Sequence, residues 1–219
     1  MFQFQSNKDI MRTNQEYKNT ALALLRGNWS PAVLVTIVYL LVTCISVVLN
    51  YAFPNMWYVV FISQLFMIFV VMPMDIAYYT AFQKMHSEGN YDMVQTMFSS
   101  FKEKYPRYLG GMFLTGLYIL MWTLLLIIPG IIKAFAYAMT PFILNDYPEL
   151  SPNQAIDLSC RMMKGHKFDL FWLGLSFIGW FILGFLTLGV AYLWLVTYMY
   201  TSVAAFYQDL KKEYINPNN

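Results

Sequence analysis

Long runs of apolar residues alternate with short polar stretches along this chain. Each long run is continuous enough to form a membrane-spanning helix rather than one face of a soluble helix. The shortest, Ile131–Leu144, would cover only about 21 Å of a hydrocarbon core about 30 Å thick. The pattern predicts an all-α, polytopic transmembrane helical bundle of six spans with a short fourth span. The apolar runs are Pro31–Leu49, Met56–Phe82, Leu109–Ile128, Ile131–Leu144, Phe168–Phe185 and Val190–Tyr207.

Composition agrees with a lipid environment, since 58% of the residues are hydrophobic and 12% are charged. The net charge is only +2, and Lys and Arg form no dense cluster, which argues against a nucleic-acid partner. The two cysteines, Cys44 and Cys160, and the two histidines, His86 and His166, lack the spacing of a metal site. We therefore expect no metal and no cofactor.

The positions of Lys and Arg predict the orientation, because positive residues near span ends stay on the cytoplasmic side. With six spans, every basic residue except Lys133 falls on one side of the membrane, together with both termini. The three connections on the other side are short: Asn50–Asn55, Pro129–Gly130 and Leu186–Gly189. We expect multi-pass insertion with both termini in the cytoplasm.

Two polar segments carry the signature of a capped amphipathic helix that leads directly into a span. In each, a capping-box pair is followed by a glycine fourteen residues after the cap, which suits a left-handed helix stop. The match indicates an internal repeat. The residues are Thr13, Glu16 and Gly27 in the first segment and Ser151, Gln154 and Gly165 in the second.

A third segment, Tyr91–Lys104, places apolar residues on one helical face and also runs into a span, without the glycine stop. We therefore predict three amphipathic interfacial helices on the cytoplasmic side, each followed by a helical hairpin. The division is a polar tail (1–13), a single transmembrane domain (14–211) and a second polar tail (212–219). The domain comprises three units, 14–82, 91–147 and 152–207.

Five residues of the apolar runs are candidates for a ligand, ion or packing site: Asp75, Lys133, Tyr137, Pro73 and Pro141. A carboxylate in a span must face protein or water, so Asp75 is either a proton or cation site or the partner of a nearby base. Lys133 either extends to the interface or meets an anionic headgroup or substrate. Pro73 and Pro141 interrupt corresponding spans, which indicates either structural kinks or a mid-membrane binding site.

No nucleophile, metal or phosphate-binding motif of an enzyme is present in the chain. The leading hypothesis is a non-catalytic protein that binds membrane lipids or a partner, either another membrane protein or a second copy. The alternatives are a small permease for an amphiphilic or anionic solute and, third, an intramembrane enzyme.

Several motifs resemble the bacterial membrane family catalogued as domain of unknown function 975. The resemblance spans Asn14 to Lys211 and implies a bacterial cytoplasmic-membrane protein. It also suggests kinship with other uncharacterised six-span families, including the membrane part of some glycerophosphodiesterases, but it implies no activity. The motifs are Gly27-Asn28-Trp29, Pro129–Lys133, Tyr137, Pro141, Asp146–Ser151, Ala155-Ile156, Met162–Lys167, Ser176–Trp180 and Ala205–Tyr207.

Overall fold

A computed structural model describes residues 11–88, 91–187 and 189–215, and in these ranges the chain is helical with no strand. The predicted all-α class is confirmed. Five helical stretches are long and apolar enough to cross a membrane: Trp29–Ala52, Trp57–His86, Met93–Leu125, Ile127–Asp146 and Lys167–Leu186. The helices are α1 (Asn14–Leu25), α2 (Trp29–Ala52), α3 (Trp57–Phe66), a π-helical segment (Met67–Val71), α4 (Met72–Glu88), α5 (Met93–Leu125), α6 (Ile127–Tyr137), α7 (Thr140–Asp146), α8 (Pro152–Met162), α9 (Lys167–Leu175), α10 (Ile178–Leu186) and α11 (Ala191–Ile215).

Both predicted capping boxes form. The Thr13 hydroxyl accepts from the Glu16 amide while the Glu16 carboxylate accepts from the Thr13 amide, and this backbone bond lowers the pKa of Glu16. Ser151 and Gln154 make the same reciprocal pair ahead of α8. Each helix is then followed by the predicted left-handed glycine, with φ of +89° at Gly27 and +98° at Gly165. The two capped units are thus built alike.

The middle unit enters its span by a different route, as its sequence predicts. A single helix, α5, contains both the polar segment and the span, with a local departure from helical geometry at Lys104 (φ −112°, ψ 15°). Pro106 follows two residues later, where a missing amide costs little because the helix is restarting. A kink therefore replaces the glycine stop.

The connection between the third and fourth apolar runs lies earlier than predicted. The chain turns at Leu126, which is extended (φ −160°, ψ 139°), and Pro129 and Gly130 belong to the first turn of α6. The predicted turn at Pro129–Gly130 was wrong because proline also suits a first helical turn, where its missing amide is not needed. Helices α6 and α7 together cover 20 residues, Ile127–Asp146, so this run is longer than Ile131–Leu144.

The fifth apolar run is not one continuous helix. It breaks at Ser176 and Phe177, between α9 and α10, and only the nine residues of α10 follow the break. The sequence shows no proline there, so periodicity alone did not reveal the break.

Helix α11 lies at the centre of the bundle and packs against α1, α2, α4 and α10. Its hydroxyl side chains Thr197, Thr201 and Ser202 are buried, and each donates to the carbonyl four residues earlier. Protein therefore surrounds its polar groups. The helix continues to Ile215, so the predicted C-terminal tail begins as helix, whereas most of the N-terminal tail, residues 1–10, lies outside the described residues.

Candidate functional site

Asp75 lies half-buried on α4, where its carboxylate accepts a short hydrogen bond from the Tyr39 hydroxyl of α2. In the described part of the chain no Lys or Arg nitrogen lies within ion-pair distance of it. The structure therefore gives Asp75 a tyrosine partner and, among the described residues, no basic one. A tyrosine hydroxyl satisfies one carboxylate oxygen without neutralising the charge.

Aromatic rings surround this carboxylate. Tyr39 stacks on Tyr78 with ring centroids 4.6 Å apart, and Tyr200 packs edge-on against both Tyr78 (4.9 Å) and Tyr79 (4.8 Å). These four tyrosines belong to α2, α4 and α11, which meet around Asp75. The sequence predicted Asp75 but not the tyrosines, because an isolated tyrosine in an apolar run does not disclose which neighbours it meets.

A line of buried hydroxyls continues from the tyrosine cluster. The Thr36 Oγ1 lies 2.8 Å from the Tyr78 hydroxyl and 3.0 Å from the Thr197 Oγ1. Thr36 donates to the Ala32 carbonyl and can accept from the Tyr78 hydroxyl, while Thr197 donates to the Leu193 carbonyl. The Thr36 and Thr197 oxygens are therefore in close contact without a proton between them. These contacts hold α2, α4 and α11 at a fixed relative height.

The two prolines predicted to interrupt spans both follow an irregular stretch of helix. Pro73 is the second residue of α4, directly after the π-helical segment Met67–Val71. Pro141 is the second residue of α7, after α6 ends at Tyr137. A π-helical turn is rare and is often found at functional sites. The first interruption lies within one turn of Asp75.

Lys133 lies in a separate place, on α6. Its ammonium stands over the Trp122 ring at 4.7 Å and over the Tyr137 ring at 5.9 Å. Tyr137 is 6% exposed and packs with Ile156 of α8, while Cys160 lies at the edge of the same small cluster. The contacts of Lys133 and Tyr137 therefore involve α5, α6 and α8, whereas those of Asp75 involve α2, α4 and α11. The structure does not bring the two ionisable candidates into one site.

A polar cluster around Asp146 joins several helices at one end of the bundle. The Asp146 carboxylate accepts from Lys211 Nζ at 2.6 Å, from the Tyr207 hydroxyl at 2.9 Å and from Gln83. The neighbouring Asn145 accepts from Lys104 Nζ at 2.9 Å. These hydrogen bonds connect four helices: α4, α5, α7 and α11. Sequence analysis had placed Asp146 within a family motif without giving it a partner.

Arg107 binds the loop that leads into α8. Its Nε donates to the Leu144 carbonyl at 2.9 Å and its Nη1 to the Pro148 carbonyl at 2.7 Å. The same guanidinium also donates to the carbonyls of Tyr147 and Leu150. One side chain thus satisfies carbonyls at the end of α7 and in the following loop, which would otherwise lack donors.

Helix α1 is fastened to the bundle by two cations. Arg12 donates through Nε and Nη2 to the two Asp209 oxygens, both at 2.7 Å, and this pairing raises the pKa of Arg12. Lys18 donates to the Ser176 carbonyl at 2.6 Å, at the break between α9 and α10, and burial lowers its pKa. The polar face of α1 therefore binds protein, not only solvent.

The described residues contain no group of three His, Cys, Asp or Glu side chains arranged to hold a metal ion. Cys44 and Cys160 are both free thiols.

Comparison with known proteins gives one match. No curated protein and no solved structure matches the chain. The family described as "protein of unknown function (DUF975)" matches residues 62–214, from α3 to the end of α11. That range holds every motif of the resemblance except Gly27-Asn28-Trp29. The chain belongs to the DUF975 family.

Proposed function

We propose that the protein is a non-catalytic, multi-pass protein of the bacterial cytoplasmic membrane that binds anionic lipid on its inner face. Its six helical arms are embedded as three hairpins, with both termini and the amphipathic segments in the cytoplasm. Five of the arms are apolar and long enough for this role. The basic residues support the orientation, because all but Lys133 lie at the inner ends of the hairpins or beyond them.

A repeated pair of exposed cations carries the lipid proposal. Arg26 directly precedes Gly27, and Lys164 directly precedes Gly165, so the two cations hold the same position in the two capped units. Both are exposed, and in the described part of the chain no carboxylate lies within ion-pair distance of either. Each stands where an amphipathic helix ends and a span begins, which is the height of lipid headgroups.

Lipid retention tests this proposal. We expect the protein, purified in mild detergent from vesicles of phosphatidylcholine and phosphatidylglycerol, to retain phosphatidylglycerol that native mass spectrometry detects. Replacing both Arg26 and Lys164 with Gln should reduce this retention several-fold. The matched control replaces Lys102 and Arg161 with Gln, which removes the same charge from exposed positions; Arg161 is already paired with Asp157.

Equal retention by the two double variants would contradict the lipid proposal. Retention of a stoichiometric membrane protein in place of lipid would also contradict it and would favour the partner hypothesis. A second copy of the chain in that place would count in the same way.

A small permease is the second candidate, and the surroundings of Asp75 favour it. A carboxylate held by Tyr39 next to a π-helical turn suits a proton or cation in transit. The test measures proton flux into proteoliposomes under a potassium diffusion potential. Flux that exceeds that of protein-free vesicles and falls to their level in Asp75→Asn would support a permease. Lys133→Gln is the control, because Lys133 belongs to a different set of helices.

A further inference from the structure

The third hairpin, formed by α10 and α11, is shorter than the other two on the outer side. The buried hydroxyls of Thr36, Tyr78 and Thr197 give a common height from which to measure, because they contact one another across α2, α4 and α11. We call these three residues the hydroxyl layer. From it, each helix can be followed outward at about 1.5 Å per residue.

The first hairpin extends far beyond the hydroxyl layer. Helix α2 continues outward from Thr36 to Ala52, a length of about 24 Å. The arm that returns begins with α3 at Trp57 and reaches Tyr78 of α4 after about 31 Å. Helix α11, in contrast, begins at Ala191, only about 9 Å from Thr197. The tip of the third hairpin therefore stands at least about 15 Å below that of the first.

The other arm of the third hairpin, α10, is short on the outer side as well. Phe177, which packs on Tyr198 at 5.1 Å, is the last residue before α10, and α10 ends at Leu186, about 14 Å further out. The second hairpin behaves like the first. Phe142 packs on Tyr79 at 5.0 Å, and α6 begins at Ile127, about 23 Å further out. Only the third hairpin stops early.

Above the level of Trp29, the hairpin of α10 and α11 is shorter than a bilayer is thick. The 20-residue stretch Lys167–Leu186 is not one straight helix of that height, because it breaks at Ser176 and Phe177. Helix α2 begins at Trp29, about 10 Å on the inner side of Thr36, which gives α2 a full length of about 36 Å. At the same 1.5 Å per residue, the tip of the third hairpin lies only about 20 to 24 Å above the level of Trp29. The hydrocarbon core is about 30 Å thick, so its tip falls short of the outer surface.

The exposed residues at the tip are apolar and compatible with hydrocarbon, as are those at the tip of the second hairpin, where Leu124–Ile128 are 66 to 79% exposed. Phe185, Leu186 and Val190 are 79%, 72% and 59% exposed. Among the described residues of the turn, the Gly189 amide donates to the Gly184 carbonyl at 2.9 Å, and the Thr187 hydroxyl donates to the Leu183 carbonyl at 3.0 Å. Backbone can end inside a bilayer only when its hydrogen bonds are made internally in this way.

The tip of the first hairpin has the opposite character. Tyr51, Trp57 and Tyr58 are exposed beside Asn55, as expected for a turn at the headgroup level.

We propose that the hairpin of α10 and α11 is re-entrant: it enters from the cytoplasmic side, turns within the hydrocarbon and leaves outer-leaflet lipid lying over its tip. The inference rests on the proposed membrane embedding and orientation. The first two hairpins cross fully, the third does not, and both termini remain on the same side. Acyl chains of the outer leaflet fill the space above the third tip, against the outer halves of α2 and α3.

Spin labels at single cysteines measure this depth. In a full-length background with Cys44→Ala and Cys160→Ala, labels are placed at Asn55, Ile182 or Val190, all of which are exposed. The protein is reconstituted in dioleoyl phosphatidylcholine and phosphatidylglycerol vesicles, and collisions with oxygen and with a water-soluble nickel chelate are compared. We expect the nickel-to-oxygen ratio at Val190 to equal that at Ile182 and to lie several-fold below that at Asn55.

The label at Ile182 separates the two proposals. If Ile182 is shielded from nickel while Val190 is as accessible as Asn55, the hairpin crosses the bilayer and the re-entrant inference is overturned, although the membrane embedding stands. If Ile182 is also accessible to nickel, the embedding of this hairpin fails and the inference fails with it.

Discussion

Arg107 offers a direct test of how α8 is held in place. Replacing it with Met keeps the aliphatic stem but removes the donors to four carbonyls between Leu144 and Leu150. A hydrogen bond from a charged donor contributes about 1.5 to 3 kcal/mol, and water can replace part of it because Arg107 is only half-buried. We expect the docking of α8 to lose about 2 to 3 kcal/mol in total.

Cys160 reports this loss, because it lies on the half-buried side of α8 and burial raises the pKa of its thiol. In a Cys44→Ala background, maleimide should modify Cys160 faster once Arg107 is replaced, by up to about 30- to 140-fold, since 1.4 kcal/mol corresponds to a tenfold change and the half-buried thiol already reacts in part while α8 is docked. Lys102→Met on the same helix is the control, because it removes an exposed positive charge without touching the loop. A helical Arg107→Met protein that reacts no faster than this control would refute the reasoning.

Three further predictions concern stability in detergent, measured as the thermal midpoint. Gly130→Ala should lower the midpoint by the equivalent of about 1 to 3 kcal/mol, because the added Cβ would stand 2.8 Å from the Thr123 Cα. Gly174→Ala is the control and should not lower the midpoint, because nothing lies within 4 Å of its added Cβ. Ser151→Ala removes the cap of α8 and should cost about 1 kcal/mol; an unchanged midpoint would mean that the capping box does not support the helix. Asp146→Asn weakens the polar cluster around Asp146 and should cost about 1 to 3 kcal/mol. Asp157→Asn, which breaks an exposed pair, should have little effect.

Local signals predicted the helix boundaries well wherever a residue acts on its own neighbourhood. Capping boxes and left-handed glycines were found in the sequence because each feature is encoded within a few residues, as at Thr13 and Gly27. The same holds for the missing glycine stop in the middle unit, whose polar segment joins its span within α5 through a kink at Lys104. Pro129 misled because proline is compatible both with a turn and with the start of a helix.

Features that depend on distant contacts could not be predicted from the sequence. Tyr39 and Tyr200 meet Asp75 only because Thr36 and Thr197 fix the heights of α2 and α11. The break at Ser176 is stabilised by Lys18, which lies far away in the chain. Periodicity describes one helix at a time, so it predicts that a helix exists but not how far it extends relative to its neighbours.

The position of α11 has a consequence for biogenesis. This last helix is rich in tyrosine and hydroxyl side chains and is not among the stretches apolar enough to cross a membrane by themselves. The insertion machinery admits a segment according to its own partitioning into lipid, and such a helix partitions poorly. Its insertion depends on packing against α1, α2 and α4, which are synthesised earlier and contact its aromatic and hydroxyl side chains. The insertion of α11 is therefore also a step of assembly.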